Sequence, residues 1–515
     1  MTSESMALEA EGPAPLSLAT RRGLILLAMA GGLGLLADLL LNTLPWGVNV
    51  PLWVAAVGLL VWWWSPRLGQ APAIGARWLV APAVTLAVAF AWRDSVLLGL
   101  MNALLVLGCF GLAPVTTASQ RFWHAGVGDY LNALVHGAGR GIAAFALPML
   151  VSVRWKDVVG RVTWVWVGPV ARGMGLAIPV LVFFASFLLS ADPIFQRAMA
   201  DLFRWDWWVL VQHAVVMTAG FWIGGGLVWH ALSPLPRPES PNSADWRVGT
   251  VESSIVLNAL NLMLLLFTAV QVRYLFGGAS VVESSGTLTY AEYARRGFFE
   301  LVTVGAAALL VLLLAEAATI RVSRRQEWVF RVSAGVLVAL VLAVLGSAVQ
   351  RMLIYQQQYG LTELRIYTVA FMGWMALAYS WFTATTLLGR SRWFAIGALV
   401  AALATAGALN VASVDSVITR VNLTRTDFDA RYHTRLSADA VPVLIEALPV
   451  LPALERSQVA HCLLARWGQA SGDDDWRGWN AARDAATKLV AANADDLRRW
   501  AVETNCYARQ RSVPN

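Results

Sequence analysis

Charged and amide side chains set inside long apolar stretches are where this sequence could do chemistry, because each is costly to bury in lipid unless a partner or water satisfies it. Asp38, Asn42, Asn102, Asn258, Asn261, Gln271, Glu300, Glu316 and Gln350 stand in such stretches, and His213 is the histidine deepest in one. Asn258 and Asn261 have the i, i+3 spacing that puts both on one helix face, where their amides can bond a neighbouring helix. A second set, Asp38, Asp192, Arg273, Glu300, Arg351, Glu363, Arg365 and Asp415, gathers near the ends of apolar runs. Carboxylates and guanidiniums at that depth are only partly hydrated, so pairing is expected, with Glu300 facing Arg351 or Arg365 as the leading pair. Such a cluster can be an ion-pair network that fixes helix register, or a site in which Glu300 or Asp192 acts as general base. Spacing alone assigns no residue a catalytic role.

The familiar catalytic signatures are missing. There is no GxxxxGK[ST] to cradle phosphates, no HExxH for zinc and no GxSxG elbow for acyl transfer. Gly31, Gly32 and Gly34 lie in mid-stretch rather than after a strand, so they are helix-packing positions. His124, His136, His433 and His461 form no metal spacing, and the acidic run Asp473, Asp474, Asp475 reads as a solvated helix start. No cofactor or metal is therefore expected, and the residues argue for a non-enzymatic protein.

The elements that position these groups are membrane helices. Of 515 residues, 58% are hydrophobic and only 14% charged, more apolar material than a soluble core of this size hides. The net charge of +7 is arginine scattered along the chain, with Lys156 and Lys488 as the lysines, so no basic stripe offers nucleic acid a footprint. Taking roughly 20 apolar residues per crossing, spans are expected near 23–42, 48–64, 78–92, 95–115, 173–190, 207–230, 253–275, 298–319, 332–350, 366–388 and 394–412. Trp46, Trp78, Trp92, Trp328 and Trp393 mark their ends, as interfacial indoles do. The fold expected is all-α: a polytopic bundle of about eleven spans over residues 23–412, with a small soluble α-helical tail domain over 413–515. A segment near 121–172, including 126–153, reads as interfacial or re-entrant, because its second apolar part is too short to cross.

Arginines concentrate in alternate loops, at Arg21 and Arg22, Arg67 and Arg77, Arg121 to Arg172, Arg237 and Arg247, Arg321 to Arg331, and Arg390 and Arg392. The positive-inside rule then puts residues 1–22 in the cytoplasm and the tail outside. In the tail, Cys462 and Cys506 would meet an oxidising compartment and are expected to form a disulfide, closing a loop that stabilises by roughly 4 kcal/mol in the chain-entropy model. Cys109, in an apolar stretch, is expected to be a small core residue.

Tyr290 to Glu300 (YAEYARRGFFE) and Tyr359 to Arg365 (YGLTELR), with Arg273 to Gly278, Ser190 to Phe195 and Asn410 to Asp415, resemble a family of bacterial multipass membrane proteins. It is identified here as the domain of unknown function numbered four-one-seven-three, over most of residues 25–425. The resemblance implies the bacterial inner membrane and brings no activity with it. With the topology above, these motifs fall on the outer side. Three functions compete: an envelope scaffold or accessory protein binding an envelope partner at its outer face, a transporter or lipid-handling protein with an outward polar cavity, and an enzyme acting on a lipid-linked ligand.

Overall fold

The computed structural model describes residues 17–64, 74–114, 127–137, 173, 176, 177, 180, 207–232, 248–284, 298–468, 475–502 and 506. These residues are helical throughout, apart from turns and one parallel bridge between Val248 and Thr319. Two compact units divide the chain, one of Met1–Asn42 with Ala138–His230, the other of Thr43–Gly137 with Ala231–Asn515. Residue 413, where composition changes, is thus not a boundary between compact units.

In the first unit, α1 (Leu18–Leu41) packs on α6 (Trp207–Leu232) through small residues. A Cβ on Gly34 would come 2.7 Å from the Met217 carbonyl, and one on Gly220 would strike the Cβ of Ala37. Only glycine lets the two backbones approach so closely, which suits helices that gain no hydrophobic drive from association in lipid. Ser17 caps α1 by accepting from the Thr20 amide at 3.2 Å.

The second unit begins with three short apolar helices, α2 (Asn49–Trp64), α3 (Ile74–Trp92) and α4 (Val96–Leu112). The helix α5 (Val127–His136) buries Tyr130 and Ala133 as it packs on α4. A bundle follows: α7 (Thr250–Ser284), α8 (Phe298–Ala318), α9 (Arg324–Tyr359), α10 (Glu363–Phe382) and α11 (Phe394–Ala412). Its core holds Leu257, Leu312, Phe330, Leu337, Met372, Met375 and Tyr379. At 36 residues, α9 extends about 54 Å and overruns the hydrocarbon; a capping box between Ser323 and Gln326 starts it, and Gly360, at φ 71°, ends it. The tail adds α12 (Val414–Asn422), α13 (Ala430–Arg435), α14 (Val441–Ala447), α15 (Ala453–Trp467), α16 (Ala481–Ala492) and α17 (Ala494–Trp500). Their shared core, around Ile418, Leu444, Val459, Ala486, Val490 and Leu497, also takes in Leu361, Ile366, Tyr367 and Leu409 from the bundle. Ser437 does not cap the helix after it; its side chain turns to Asp415.

Ten of the eleven expected spans lie on these helices, and 173–190 lies outside the described residues save for isolated positions. Among the described residues six helices are long and apolar enough to cross a membrane: Leu18–Leu41, Trp207–Leu232, Thr250–Val270, Phe299–Ala318, Arg324–Tyr359 and Phe394–Ala412. Asn49–Trp64, Trp78–Trp92 and Val96–Leu112 are apolar but shorter, and at 1.5 Å per residue each is about 22–26 Å long, less than the hydrocarbon thickness. The described part of the 126–153 segment is the ten-residue α5, and 138–153 lie outside the described residues.

Polar groups inside the bundle are used to join helices. Asn102 in α4 and Asn410 in α11 exchange amide hydrogen bonds, Asn102 Nδ2 to Asn410 Oδ1 at 3.1 Å and Asn410 Nδ2 to Asn102 Oδ1 at 3.0 Å. Asn261 donates to the Ser333 carbonyl of α9 at 2.9 Å and to Asn258 at 3.4 Å, and Tyr379 donates to the Gly305 carbonyl of α8 at 2.7 Å. Asn102→Ala removes the donor to the buried Asn410 Oδ1, so it should lower stability by about 1–3 kcal/mol. Thermal unfolding of Asn102→Ala, Asn410→Ala and the double variant should show a double loss smaller than the sum; strict additivity would mean the amides are uncoupled.

Candidate functional site at the α3–α4 turn

Two residues, Arg93 and Asp94, link the last turn of α3 to Ser95, the N-cap of α4. The Arg93 Nε donates to the Asn410 carbonyl at 2.6 Å and its Nη2 to that of Val411 at 3.2 Å. Those carbonyls belong to the last turn of α11, whose acceptors have no partner within the helix and whose dipole favours a cation. Its Nη1 donates to Asp439 Oδ1 at 2.8 Å, with side-chain exposures of 14% and 5%. Asp94 faces the other way. Its Oδ1 accepts from Arg483 Nη1 at 2.7 Å, its Oδ2 from the Ala438 amide at 3.1 Å, and its own amide donates to Asp439 Oδ2 at 3.0 Å.

The tail closes the remaining helix ends. Arg483 Nη2 donates to the carbonyls of Trp46, at 2.7 Å, and Gly478, at 2.6 Å. Asn480 donates to the carbonyls of Phe90 and Arg93 at 2.8 and 3.0 Å, while its Oδ1 caps α16 by accepting from the Arg483 amide. Val48 donates to the Trp479 carbonyl at 2.9 Å, and Gly47 lies so near Trp479 that a Cβ there would collide with its backbone.

Behind this pair of ion pairs lies a layer of carboxylates. Asp415 is 1% exposed; its Oδ2 accepts from the amide and hydroxyl of Ser437, while its Oδ1 has no hydrogen-bond partner. Burial pushes its carboxyl above the ordinary range, the Ser437 bonds pull it back, and Asp439 and Asp94 push it up again. Glu363, just ahead of the 366–388 apolar run, accepts from the Ser95 hydroxyl at 3.2 Å, and its amide donates to the Tyr432 hydroxyl at 3.2 Å. Its carboxyl is also raised, first by burial and then by Asp415. Four carboxylates, Asp94, Glu363, Asp415 and Asp439, thus meet two guanidiniums. No group of three or more His, Cys, Asp or Glu side chains among the described residues is arranged to hold a metal ion. A cleft of about 680 Å³ opens beside the turn along α3 and α4.

Nearby, His433 is 2% exposed and held by its neighbours as a neutral ring. Asn422 donates to Nε2 at 3.2 Å, so Nδ1 carries the hydrogen and donates to Thr419 Oγ1 at 3.2 Å. Asn422 also exchanges bonds with Leu361. Burial lowers the His433 pKa from 6.5 to about 4, opposed by Asp429.

Of the outer cluster expected from sequence, Glu363 and Asp415 come to this junction. The pairing of Glu300 with Arg351 or Arg365 does not form: Glu300 is exposed on the first turn of α8, Arg351 is buried in α9, and Arg365 donates to the carbonyls of Tyr359 and Gly360 while stacking 4.3 Å over Tyr355. The carbonyls at the end of α9 claim that guanidinium before any carboxylate can. Asp38 belongs to the first unit, where His213 Nδ1 donates to its Oδ1 at 2.7 Å and Asn42 donates to Nε2 at 3.1 Å. Asp192 and the Arg273 side chain lie outside the described residues. Cys462 and Cys506 are joined as a disulfide, with Cα atoms 5.6 Å apart, and Cys109 is a buried free thiol. Sequence reading missed Asp94, Asp439, Asn480 and Arg483. The only signal was the adjacent opposite charges Arg93-Asp94 between two apolar runs.

The family model described as Domain of unknown function (DUF4153) matches residues 80–447. That is more than two thirds of the chain, and the chain belongs to this family; the number is 4153, which corrects the four-one-seven-three expected from the motifs. No curated protein and no solved structure matches. The junction lies mostly within the matched residues, with Asn480 and Arg483 beyond them.

Arg93→Ala strands the Asp439 carboxylate in a buried position and should cost roughly 3–5 kcal/mol. The paired change Arg93→Met with Asp439→Leu should cost much less in thermal unfolding; equal losses would show that the ion pair is incidental. For His433 the unfolded chain binds the proton first, so its contribution is complete above pH 6.5 and is lost as pH falls towards about 4, by up to roughly 3 kcal/mol. The raised Asp415 works in the opposite sense, its contribution fading as pH rises above the ordinary carboxylate range. The difference in unfolding midpoint between the parent chain and His433→Gln should shrink on acidification through this window; a constant difference would show that His433 does not titrate.

Proposed function

Because the chain belongs to a family that carries no assigned activity, we propose from its own geometry that it is a non-enzymatic scaffold or accessory protein of the bacterial cell envelope, set in the inner membrane with its tail on the outer side. The observation that carries this reading is the Arg93–Asp439 and Asp94–Arg483 double ion pair, which fastens the tail helices to the ends of apolar helices. The acids and bases at the junction are engaged in one another's hydrogen bonds. A rigid platform of tail helices, presented at a membrane surface, suits the binding of an envelope protein or a lipid-linked ligand.

Orientation rests on the arginine-rich loops, which put residues 1–22 in the cytoplasm and 413–515 outside. The disulfide between Cys462 and Cys506 supports the same side, since such bonds persist in oxidising compartments. Bundle amides that bond neighbouring helices, such as Asn102 with Asn410, fit a fixed assembly. A reporter enzyme that works only outside the cytoplasm, fused after Asn515, should be active. Activity instead from a cytoplasm-only reporter at the same position would reverse the orientation and, with it, the envelope partner.

A further inference from the structure

The tail carries two exposed indoles where it meets the apolar helices. Trp476 and Trp479 are 61% and 51% exposed, and both belong to the short turn, 475–480, that leads into α16. Trp476–Gly478 is a 3₁₀ helix, in which three residues make one turn, so positions 476 and 479 lie over one another. A tryptophan exposed in this way leaves a large apolar face uncovered, and two on one side of a turn mark a contact surface. The turn brings no net charge to that surface, because Asp475 pairs with Arg477.

The backbone of the turn is seated on the ends of apolar helices. At the start of α2 the Val48 amide donates to the Trp479 carbonyl at 2.9 Å, and a Cβ on Gly478 would stand 3.0 Å from the Pro45 carbonyl. At the end of α3, Asn480 donates to the carbonyls of Phe90 and Arg93. These helix ends carry Trp46 and Trp92, 49% and 42% exposed, as indoles do that keep the ring in hydrocarbon and the N–H among headgroups. With 16 and 17 residues, α2 and α4 extend about 24 and 26 Å, against a hydrocarbon core of about 30 Å. A segment resting directly on their ends is therefore within the interfacial layer. We propose that the 475–480 turn anchors the tail to the membrane surface, with the lipid headgroup layer as the partner of Trp476 and Trp479. The indoles of the tail and of the helix ends then form one belt, and the tail lies on the bilayer instead of standing clear of it. Neither the orientation nor the partner of the scaffold reading enters, since the same belt forms in whichever leaflet the ends of α2 and α3 reach.

The full chain, reconstituted in phosphatidylcholine nanodiscs, tests this with a nitrobenzoxadiazole label at Trp476→Cys or Trp479→Cys. Cys109→Ala removes the free thiol, and labelling without reductant keeps the Cys462–Cys506 bond. A nitroxide on the lipid headgroup should quench both labels several-fold, as it should a label at Trp46→Cys, while iodide in the water should quench them several-fold less than free dye. Iodide quenching equal to that of the free dye overturns the proposal. So does shielding from iodide without nitroxide quenching, which would show that a second copy of the chain covers the indoles. Where the cysteine variants fail to fold, hydroxyl-radical oxidation of the parent chain in the same nanodiscs gives a second reading. Trp476 and Trp479 should then oxidise at the rate of Trp46 and several-fold slower than free tryptophan; oxidation as fast as free tryptophan overturns the anchor. A tail found on the cytoplasmic side by the reporter fusion would refute the scaffold's orientation and leave these quenching ratios unchanged.

Discussion

Every helix ends in carbonyls that it cannot satisfy itself, and near a membrane water is a poor remedy. In this protein the two residues between α3 and α4 resolve that constraint for several helices together. Arg93 caps the end of α11 through Asn410 and Val411 and then reaches Asp439, while Asp94 receives Arg483 and the Ala438 amide. Asn480 returns from the tail to close the end of α3. The tail is therefore fitted to the ends of the apolar helices, and its hydrophobic core continues into theirs at Ile366, Tyr367 and Leu409.

Charges buried in this way are weak evidence for stability, since desolvation offsets most of the attraction between them. Their stronger effect is on specificity. A guanidinium and a carboxylate on consecutive residues accept only a partner surface with the opposite order of charge, and Asp439 with Arg483 supplies it. The two further acids, Glu363 and Asp415, have no cation of their own at the junction, and burial raises both. His433 is treated in the opposite way, its pKa lowered by burial while Asn422 and Thr419 bond its ring.

The helices were legible in the sequence because apolar length is a property of composition, and the interior amides were legible because a polar group in an apolar run must find a partner. Asn102 and Asn261 found theirs in other helices. The pairing of Glu300 was misread because the rule used, that opposite charges near one boundary meet, ignores backbone carbonyls, which took Arg365. The tail contributions could not be seen at all. Asp439 and Arg483 occur in amphipathic segments where a charge is normally solvated, and only the return of the chain to the α3–α4 turn brings them together. Among the described residues six helices are long and apolar enough to cross, while α2 and α4 are apolar but shorter than the hydrocarbon is thick.

Hydrogen exchange of the tail in the intact membrane protein tests the central claim most directly, comparing the parent chain with Asp94→Asn, in which the acceptor for Arg483 and Ala438 is neutralised. If the double ion pair fastens the tail, the amides of α14 and α16 exchange faster together, while those of α15, held by the disulfide and away from the turn, change less. Unaltered protection of α14 and α16 in the variant would contradict the account.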